Sequence, residues 1–418
     1  MSRYIIEGGR PLEGCLRVKA AKNSVLPLLA ASILTEEKVV LRNCPEISDI
    51  KNMLKILAGI GCAIERDDRG NITIDSRDIY CEQIPCVLAK ELRSSVFLMG
   101  PMLSRMKRAK ISYPGGCEIG MRPIDIHLAG LREMGITIDE ESGYLDCDAT
   151  GARAAQILLD LPSVGATENL MMASVFTPGV TVLRNCAKDP EIADLQKFLN
   201  AMGARVSGAG SSMITIEGVT KLHGVAYTPI PDRIIAGTYM IATAMCGGFV
   251  TIEGAIPEHI SSLTAKLSKT ACKITCKNDK IIVRSKGRSK SLERIDTMYY
   301  PGFPTDLQTQ MMALQTISRG TSVIAENIFE TRFKTVPQLI KMGADITVRD
   351  RTAVVKGVAK LHGAQVCATD LRGGASLVLA GLAAEGRTEV KDIYHIDRGY
   401  EDMAPVLSEL GADINRVV

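Results

Sequence analysis

At 418 residues the chain is too long for one ordinary hydrophobic core, so two domains are expected. Its 46% apolar and 23% charged residues exclude a disordered or membrane-embedded chain. A formal net charge of +3 is too weak to mark a nucleic-acid binder, yet it suits anionic small substrates.

The start, "MSRYIIEGG", lacks the apolar stretch of a signal peptide, and the 12 cysteines stand without C-x-x-C pairs or zinc spacing. Reduced thiols in a cytoplasm are therefore expected. A strand precedes Lys22. "SVLPLLAASIL" (Ser24 to Leu34) follows as a helix apolar nearly all round, well short of the roughly 20 residues of a membrane span. "VVLRNC" reads as a strand, and an amphipathic helix then runs to Gly61.

This unit recurs. Leucine, three residues, Gly or Ala, two residues and Ile or Val occur at Leu57-Gly61-Ile64, Leu131-Gly135-Ile138 and Leu199-Gly203-Val206. The same pattern returns at Leu267-Ala271-Ile274, Leu339-Gly343-Ile346 and Leu407-Gly411-Ile414, at intervals of about 70 residues. In "EIADLQKFLNAM", Ile192, Leu195, Phe198, Leu199 and Met202 share one face, Gly203 ends the helix, and short strands "ARVSG" and "SMITIEG" follow. "VTVLRNC" and "FVTIEG" are the counterparts of "VVLRNC".

About forty residues before each small residue lies a second helix of another kind: "SVLPLLAASIL", "SSVFLMGPML", "ENLMMASVF", "AGTYMIATAM", "QMMALQTI" and "ASLVLAGLAA". A helix without a polar face must be enclosed by protein. Three such helices ringed by sheets and amphipathic helices make one core, so six units make two pseudo-threefold domains. The break falls near "YTPIPDR", and the N-terminal strand is expected to pair with the far domain, whose last unit ends without one.

Polar residues open these helices: Lys22 and Asn23, Arg93, Ser163-Val164-Gly165, Asp232-Arg233, Asp306 and Arg372. Free N–H groups at helix starts, joined by arginine, suit a multiply charged anion. Strand-to-helix loops carry Arg122 in "PGGCEIGMRP", Arg332 in "FETRF" and Arg398 in "HIDRGY", which read as one loop in three units. The first copy is enlarged with glycines and carries Cys117. His127 and His395 read as core or surface contacts, and the basic run Arg284 to Arg294 as a solvated loop. No Walker A pattern, dinucleotide fingerprint or Ser/His/Asp set is present, so no cofactor is expected.

With these residues in place the whole chain resembles the enolpyruvyl transferases, and among them those that use UDP-N-acetylglucosamine. "AKNSVLP", "LRSSVFLMGP", "PGGCEIGMRPIDIHL", "SVGATENLMMA", "FPTDLQTQ", "FETRF", "ATDLRGGASLVLAG" and "YHIDRGYE" carry the resemblance. It implies an α/β, two-domain inside-out α/β barrel of six repeated units, three per domain, as in EPSP synthase. Residues 22–231 would form the first domain with the Cys117 lid, residues 1–21 plus 232–418 the second, with the active site in the cleft between them. It implies transfer of the enolpyruvyl group of phosphoenolpyruvate to the 3′-hydroxyl of UDP-N-acetylglucosamine, with release of phosphate and no metal, in bacterial peptidoglycan synthesis.

The resemblance also implies roles. Cys117 would protonate C3 or form an adduct, and would be open to alkylation by fosfomycin. Asp306 would act as base. Lys22, Asn23, Arg122, Arg332, Arg372 and Arg398 would hold phosphoenolpyruvate, with Lys22 and Arg398 also catalytic. Arg93, Arg122, Pro123, Ile124, Asp125, Ile126, Ser163, Val164, Gly165, Asp306 and Ile328 would hold the UDP-sugar. The family usually has glycine where Ala20 and Ala21 precede Lys22, and Gly373-Gly374 look permissive for a helix start. The sister enzyme acting on shikimate 3-phosphate is the alternative; Lys-Asn in place of Lys-Ser, the loop cysteine and "SVGATEN" speak against it. A degenerate, UDP-sugar-binding paralogue is the non-enzyme reading, separated by turnover. No partner beyond the two substrates is implied.

Overall fold

Segments apolar on every side become helices walled in by protein. The computed structural model describes residues 2–84, 92–113, 124–141 and 143–418. The described residues divide into two compact units, those between 20 and 230 and those of 2–19 with 231–418.

In the unit of residues 20–230, the enclosed helices are Lys22–Ala31, Met99–Met106 with its 3-10 lead-in Arg93–Leu98, and Val164–Ser174. Two of them meet at Gly100, where a Cβ would stand 2.3 Å from the Asn169 carbonyl oxygen. In the other unit, Arg233–Cys246, Gln308–Ile317 and Leu371–Ala383 pack on one another. Every residue of Gln308–Ile317 is buried. The core of each unit is built around these helices.

Sheets surround them in a repeated order. Val180–Arg184 lies between Gln156–Leu158, parallel, and Met213–Glu217, antiparallel, with Arg205–Ser207 outermost. Ala226–Tyr227 is the parallel neighbour of Val39–Leu41, so the end of this unit pairs with its beginning. In the other unit, Arg3–Glu7 sits between Arg387–Lys391 and Asp413–Val417, antiparallel to both. The chain's first strand thus fills the place that a hairpin strand occupies elsewhere. Leu12–Arg17 then lies parallel to Gly248–Glu253. The sheet of Arg108–Ser112 has three described strands, with Gln83 bridging Lys110 where an edge strand stands in the others.

The amphipathic helix Pro190–Ala201 buries Ile192, Leu195, Phe198 and Leu199, with Met202 at its C-cap. Gly203 follows at φ 101°, and Gly61, Gly135, Gly343 and Gly411 repeat this left-handed turn. Ala271 at the fourth equivalent place does not take positive φ, so that turn is built differently. The run Arg284 to Arg294 is not one solvated loop. Arg284 lies in the strand Lys280–Ser285 with its guanidinium 4.7 Å from the Phe249 ring. Arg288 donates to the Ile317 carbonyl at 3.0 Å, and Arg294 opens another strand. Among the described residues no helix is long and apolar enough to cross a membrane.

Leu377, fully buried in Leu371–Ala383, tests the enclosed core. Leu377→Ala should cost about 2–5 kcal/mol in chemical denaturation. Leu158→Ala, at a residue 66% exposed, should stay within about 0.5 kcal/mol.

A carboxyl group is buried within one of the enclosed helices. Glu168 is buried in Val164–Ser174 and its Oε1 has no hydrogen-bond partner among the described residues. Burial, then the charges of Glu191 and Asp189, push its pKa well above the ordinary carboxyl value. A raised folded pKa means that the native state holds its proton more tightly than the unfolded chain. This stability is full below the unfolded pKa and is lost as pH rises towards the folded one. Glu168→Gln removes that loss. Its unfolding free energy relative to wild type should rise as pH rises above the ordinary carboxyl pKa, by at most about 1.4 kcal/mol per pH unit, read by chemical denaturation. An advantage that stays constant with pH would refute the account.

Candidate active site

In the unit of residues 231–418, the 3-10 turn Thr305–Leu307 sets Asp306 just ahead of the buried helix Gln308–Ile317. Its carboxylate joins two guanidiniums: Oδ1 is 2.5 Å from Arg332 Nη2 and Oδ2 is 3.0 Å from Arg372 Nη2. The arginine side chains are 2% and 3% exposed and the aspartate 24%. The carboxylate therefore faces outward with both cations behind it.

Arg332 opens the 3-10 turn Arg332–Thr335 and donates through Nε to Thr305 Oγ1 at 3.2 Å. Its Cζ stands 5.2 Å from the Phe329 ring. Arg372 lies in the first turn of Leu371–Ala383, whose cap, Asp370, accepts from the Arg372 and Gly373 N–H groups at 3.0 Å each. Burial opposes the charge of Arg372, but Asp306, Tyr400 and Asp232 outweigh it and raise its pKa, so the guanidinium stays cationic. Its Nε and Nη1 are buried without a partner among the described residues. Unspent buried donors cost about 1–3 kcal/mol each.

Gly373 and Gly374 are not permissive, as the sequence suggested. A Cβ would lie 2.6 Å from Asp370 Oδ2 at the first and 2.6 Å from Ile396 Cγ1 at the second. Both glycines let the capped helix start seat tightly. Ile328 is half-buried; its N–H donates to Glu326 at 2.9 Å, beside Phe329 N–H and the Thr297 and Thr305 hydroxyls. Arg398, half-buried, ends the 3-10 turn Ile393–Arg398, whereas Arg332 begins its own. The two loops share a place in the repeat but not a position in the turn.

In the unit of residues 20–230, Lys22 is the first residue of its helix, with Asn23 next, and its Nζ is 3.0 Å from Asp49 Oδ2. Ala21 takes the cap position in extended conformation without a side-chain bond. Ser24 in the first turn donates to Asp194, which also accepts from Tyr227 Oη at 2.6 Å and Ile230 N at 3.1 Å. These bonds tie the Lys22 helix to a neighbouring helix and to the closing strand.

Ser163 caps Val164–Ser174, its hydroxyl accepting from Ala166 N at 3.3 Å. A Cβ on Gly165 would lie 3.2 Å from the His127 ring and 3.3 Å from that of Phe97. Asn169, one turn further on, donates to Val96 O at 2.9 Å and stands 3.1 Å from His127 Nδ1. Asn169 thereby connects the turn that Arg93 opens, the helix that starts at Asp125 between Ile124 and Ile126, and the helix that Ser163 caps. Ile124 is buried, Ile126 half-buried and Asp125 exposed. His127 is buried, in keeping with a core contact, and His395 stacks on Tyr394 with centroids 4.1 Å apart. Cys117, Arg122 and Pro123 lie outside the described residues.

Four side chains that organise these clusters escaped the sequence reading: Asp49, Asp370, Asn169 and Tyr400. Asp370 alone had a local signal, since it precedes a buried helix start as Asp232 does. Asp49 looks like an ordinary acidic residue of a first helical turn.

The chain matches the family model described as EPSP synthase (3-phosphoshikimate 1-carboxyvinyltransferase) over residues 6–407. Among curated relatives, UDP-N-acetylglucosamine 1-carboxyvinyltransferase 2 of Caldanaerobacter subterraneus subsp. tengcongensis is 51% identical, with 100% of each chain covered. UDP-N-acetylglucosamine 1-carboxyvinyltransferase of Myxococcus xanthus is 46% identical, over 100% of this chain and 99% of its own. The crystal structure of the enolpyruvyl transferase NikO from Streptomyces tendae matches with a TM-score of 0.88 at 25% identity, over 99% of this chain and 98% of that one. EPSP synthase from Acinetobacter baumannii shares the fold at a TM-score of 0.78 and 18% identity, over 99% of each chain. With the mixed α/β architecture and full-length relatives at about half identity, the chain belongs to the EPSP synthase family of enolpyruvyl transferases, on the branch of the UDP-N-acetylglucosamine 1-carboxyvinyltransferases.

Proposed function

We propose that the protein transfers the enolpyruvyl group of phosphoenolpyruvate to the 3′-hydroxyl of UDP-N-acetylglucosamine and releases phosphate. This is the first committed step of peptidoglycan synthesis, carried out in the cytoplasm. The observation that carries the reading is the full-length identity of 51% to a protein of that activity's name. The Asp306–Arg332–Arg372 cluster supports it with chemistry of the right kind.

The sugar oxygen attacks C2 of the enolpyruvate while C3 gains a proton, giving a tetrahedral ketal. The C2–O bond to phosphate then breaks, and loss of a C3 proton restores the double bond. Asp306 is the base toward the 3′-hydroxyl. Its two oxygens accept from Arg332 and Arg372, which hold the carboxylate in one orientation for that proton transfer. Lys22, Asn23, Arg122, Arg332, Arg372 and Arg398 neutralise the phosphate and carboxylate of phosphoenolpyruvate. Ser163, Val164 and Gly165 offer helix-start N–H groups to the diphosphate, residues 122–126 cradle the uracil, and Arg93 and Ile328 complete the UDP-sugar site. Cys117 supplies the proton to C3, its thiol activated by neighbouring cations.

We further read each compact unit as three copies of one repeat in an inside-out α/β arrangement. The domains are residues 22–231 and residues 1–21 with 232–418. The shared strand order of the sheets, and the return of Ala226–Tyr227 to the first strand of its own unit, support this.

Phosphate release from phosphoenolpyruvate should require UDP-N-acetylglucosamine. Release with shikimate 3-phosphate alone would overturn the reading. Asp306→Asn and Cys117→Ser should each lower kcat by about 10²–10⁴-fold, the range of a lost general acid or base. Fosfomycin should add to Cys117, faster with the UDP-sugar present. Inactivation with Cys117 unmodified in mass spectra would refute its placement.

A further inference from the structure

Three fully buried polar side chains meet where the enclosed helices of residues 231–418 would be expected to carry only apolar ones. They are Thr238 in Arg233–Cys246, Gln310 in Gln308–Ile317 and Tyr400, two residues beyond Arg398. Gln310 Nε2 lies 3.0 Å from the carbonyl oxygen of Asp306, 3.2 Å from Tyr400 Oη and 3.3 Å from Thr238 Oγ1. Tyr400 Oη and Thr238 Oγ1 are 2.9 Å apart.

The proton inventory orients this network. Thr238 donates to the Ile234 carbonyl at 2.8 Å, so between the two hydroxyls Tyr400 donates and Thr238 accepts. Tyr400 Oη is then an acceptor for Gln310, whose second amide proton goes to Asp306 O. Gln310 Oε1 accepts from Thr309 Oγ1 at 2.9 Å. Every member is satisfied, which is the condition for a polar network to persist in an apolar core.

The network ends on residues of the proposed site. It holds the backbone of Asp306. It fixes the hydroxyl end of a ring whose centroid stands 5.4 Å from Arg372 Cζ, and it anchors the segment that carries Arg398. We propose that Tyr400, with Thr238 and Gln310, is a positioning residue that sets the arginines of the phosphoenolpyruvate subsite. This rests on the function proposed above.

The test compares wild type, Tyr400→Phe, Thr238→Val and Thr238→Ser. Tyr400→Phe keeps the ring and loses the hydroxyl; Thr238→Val keeps the shape and loses the acceptor; Thr238→Ser restores it. Loss of either oxygen should raise KM for phosphoenolpyruvate about tenfold, with KM for UDP-N-acetylglucosamine within about twofold, and Thr238→Ser should return the wild-type value. Calorimetric binding of phosphoenolpyruvate should weaken by the same factor. Lower melting temperatures with both KM values unchanged would mean a structural role only and overturn the inference. If wild type releases no phosphate, the function falls, and the calorimetric comparison decides the positioning role. Equal affinities, or no binding even to wild type, would overturn it.

Discussion

The structure depends on one constraint: a helix apolar on every side has to be taken out of water on every side. Three such helices sit in the core of each compact unit, and among the described residues strands, amphipathic helices and 3-10 turns cover them. Their middles are closed to chemistry by the same burial. Polar groups are therefore tolerated at their starts, where N–H groups are free and a cap or a ligand is needed in any case. Asp232, Asp370 and Ser163 serve as caps, and Lys22, Arg93, Asp306 and Arg372 stand at or next to such starts.

Burying Arg332 and Arg372 is costly unless their charges are matched. Asp306 balances both from the solvent side, and Asp370 lies 3.9 Å from Arg332 while capping the helix of Arg372. The balance is incomplete by design of the donor count. A planar guanidinium has five N–H groups, and Arg372 keeps some of them unmatched among the described residues. Cations held in place by buried packing are what a site for an anionic reactant requires. The tight seats of Gly373 and Gly374 hold that arrangement where side chains would force it apart.

Much of the fold was legible because its signals are local and repeated. The amphipathic face of Pro190–Ala201 is buried as its spacing predicts, and the left-handed glycines end their helices. The Ala271 turn and the Arg284 to Arg294 run were read less well. A methyl group disfavours the left-handed turn without naming its replacement, and a charged run does not reveal that Arg284 lies in a strand over an aromatic ring while Arg288, beyond that strand, reaches a distant carbonyl. Within the site, residues at helix starts were found by position. Their partners were not, because Asp49 is 27 residues from Lys22 and Asp306 is 66 from Arg372.

The sequence by itself determined which segments must be enclosed, which glycines end the amphipathic helices, and which residue types stand near the starts of the buried ones. Those properties follow from hydrophobic period, glycine and capping, which act over a few residues. The tertiary structure alone decided which charges meet. Only folding brings Arg332 and Arg372 to the two oxygens of one carboxylate, and Thr238, Gln310 and Tyr400 to one buried network. Hydrogen bonds and ion pairs act over a few ångströms, and the chain separates these partners by tens of residues.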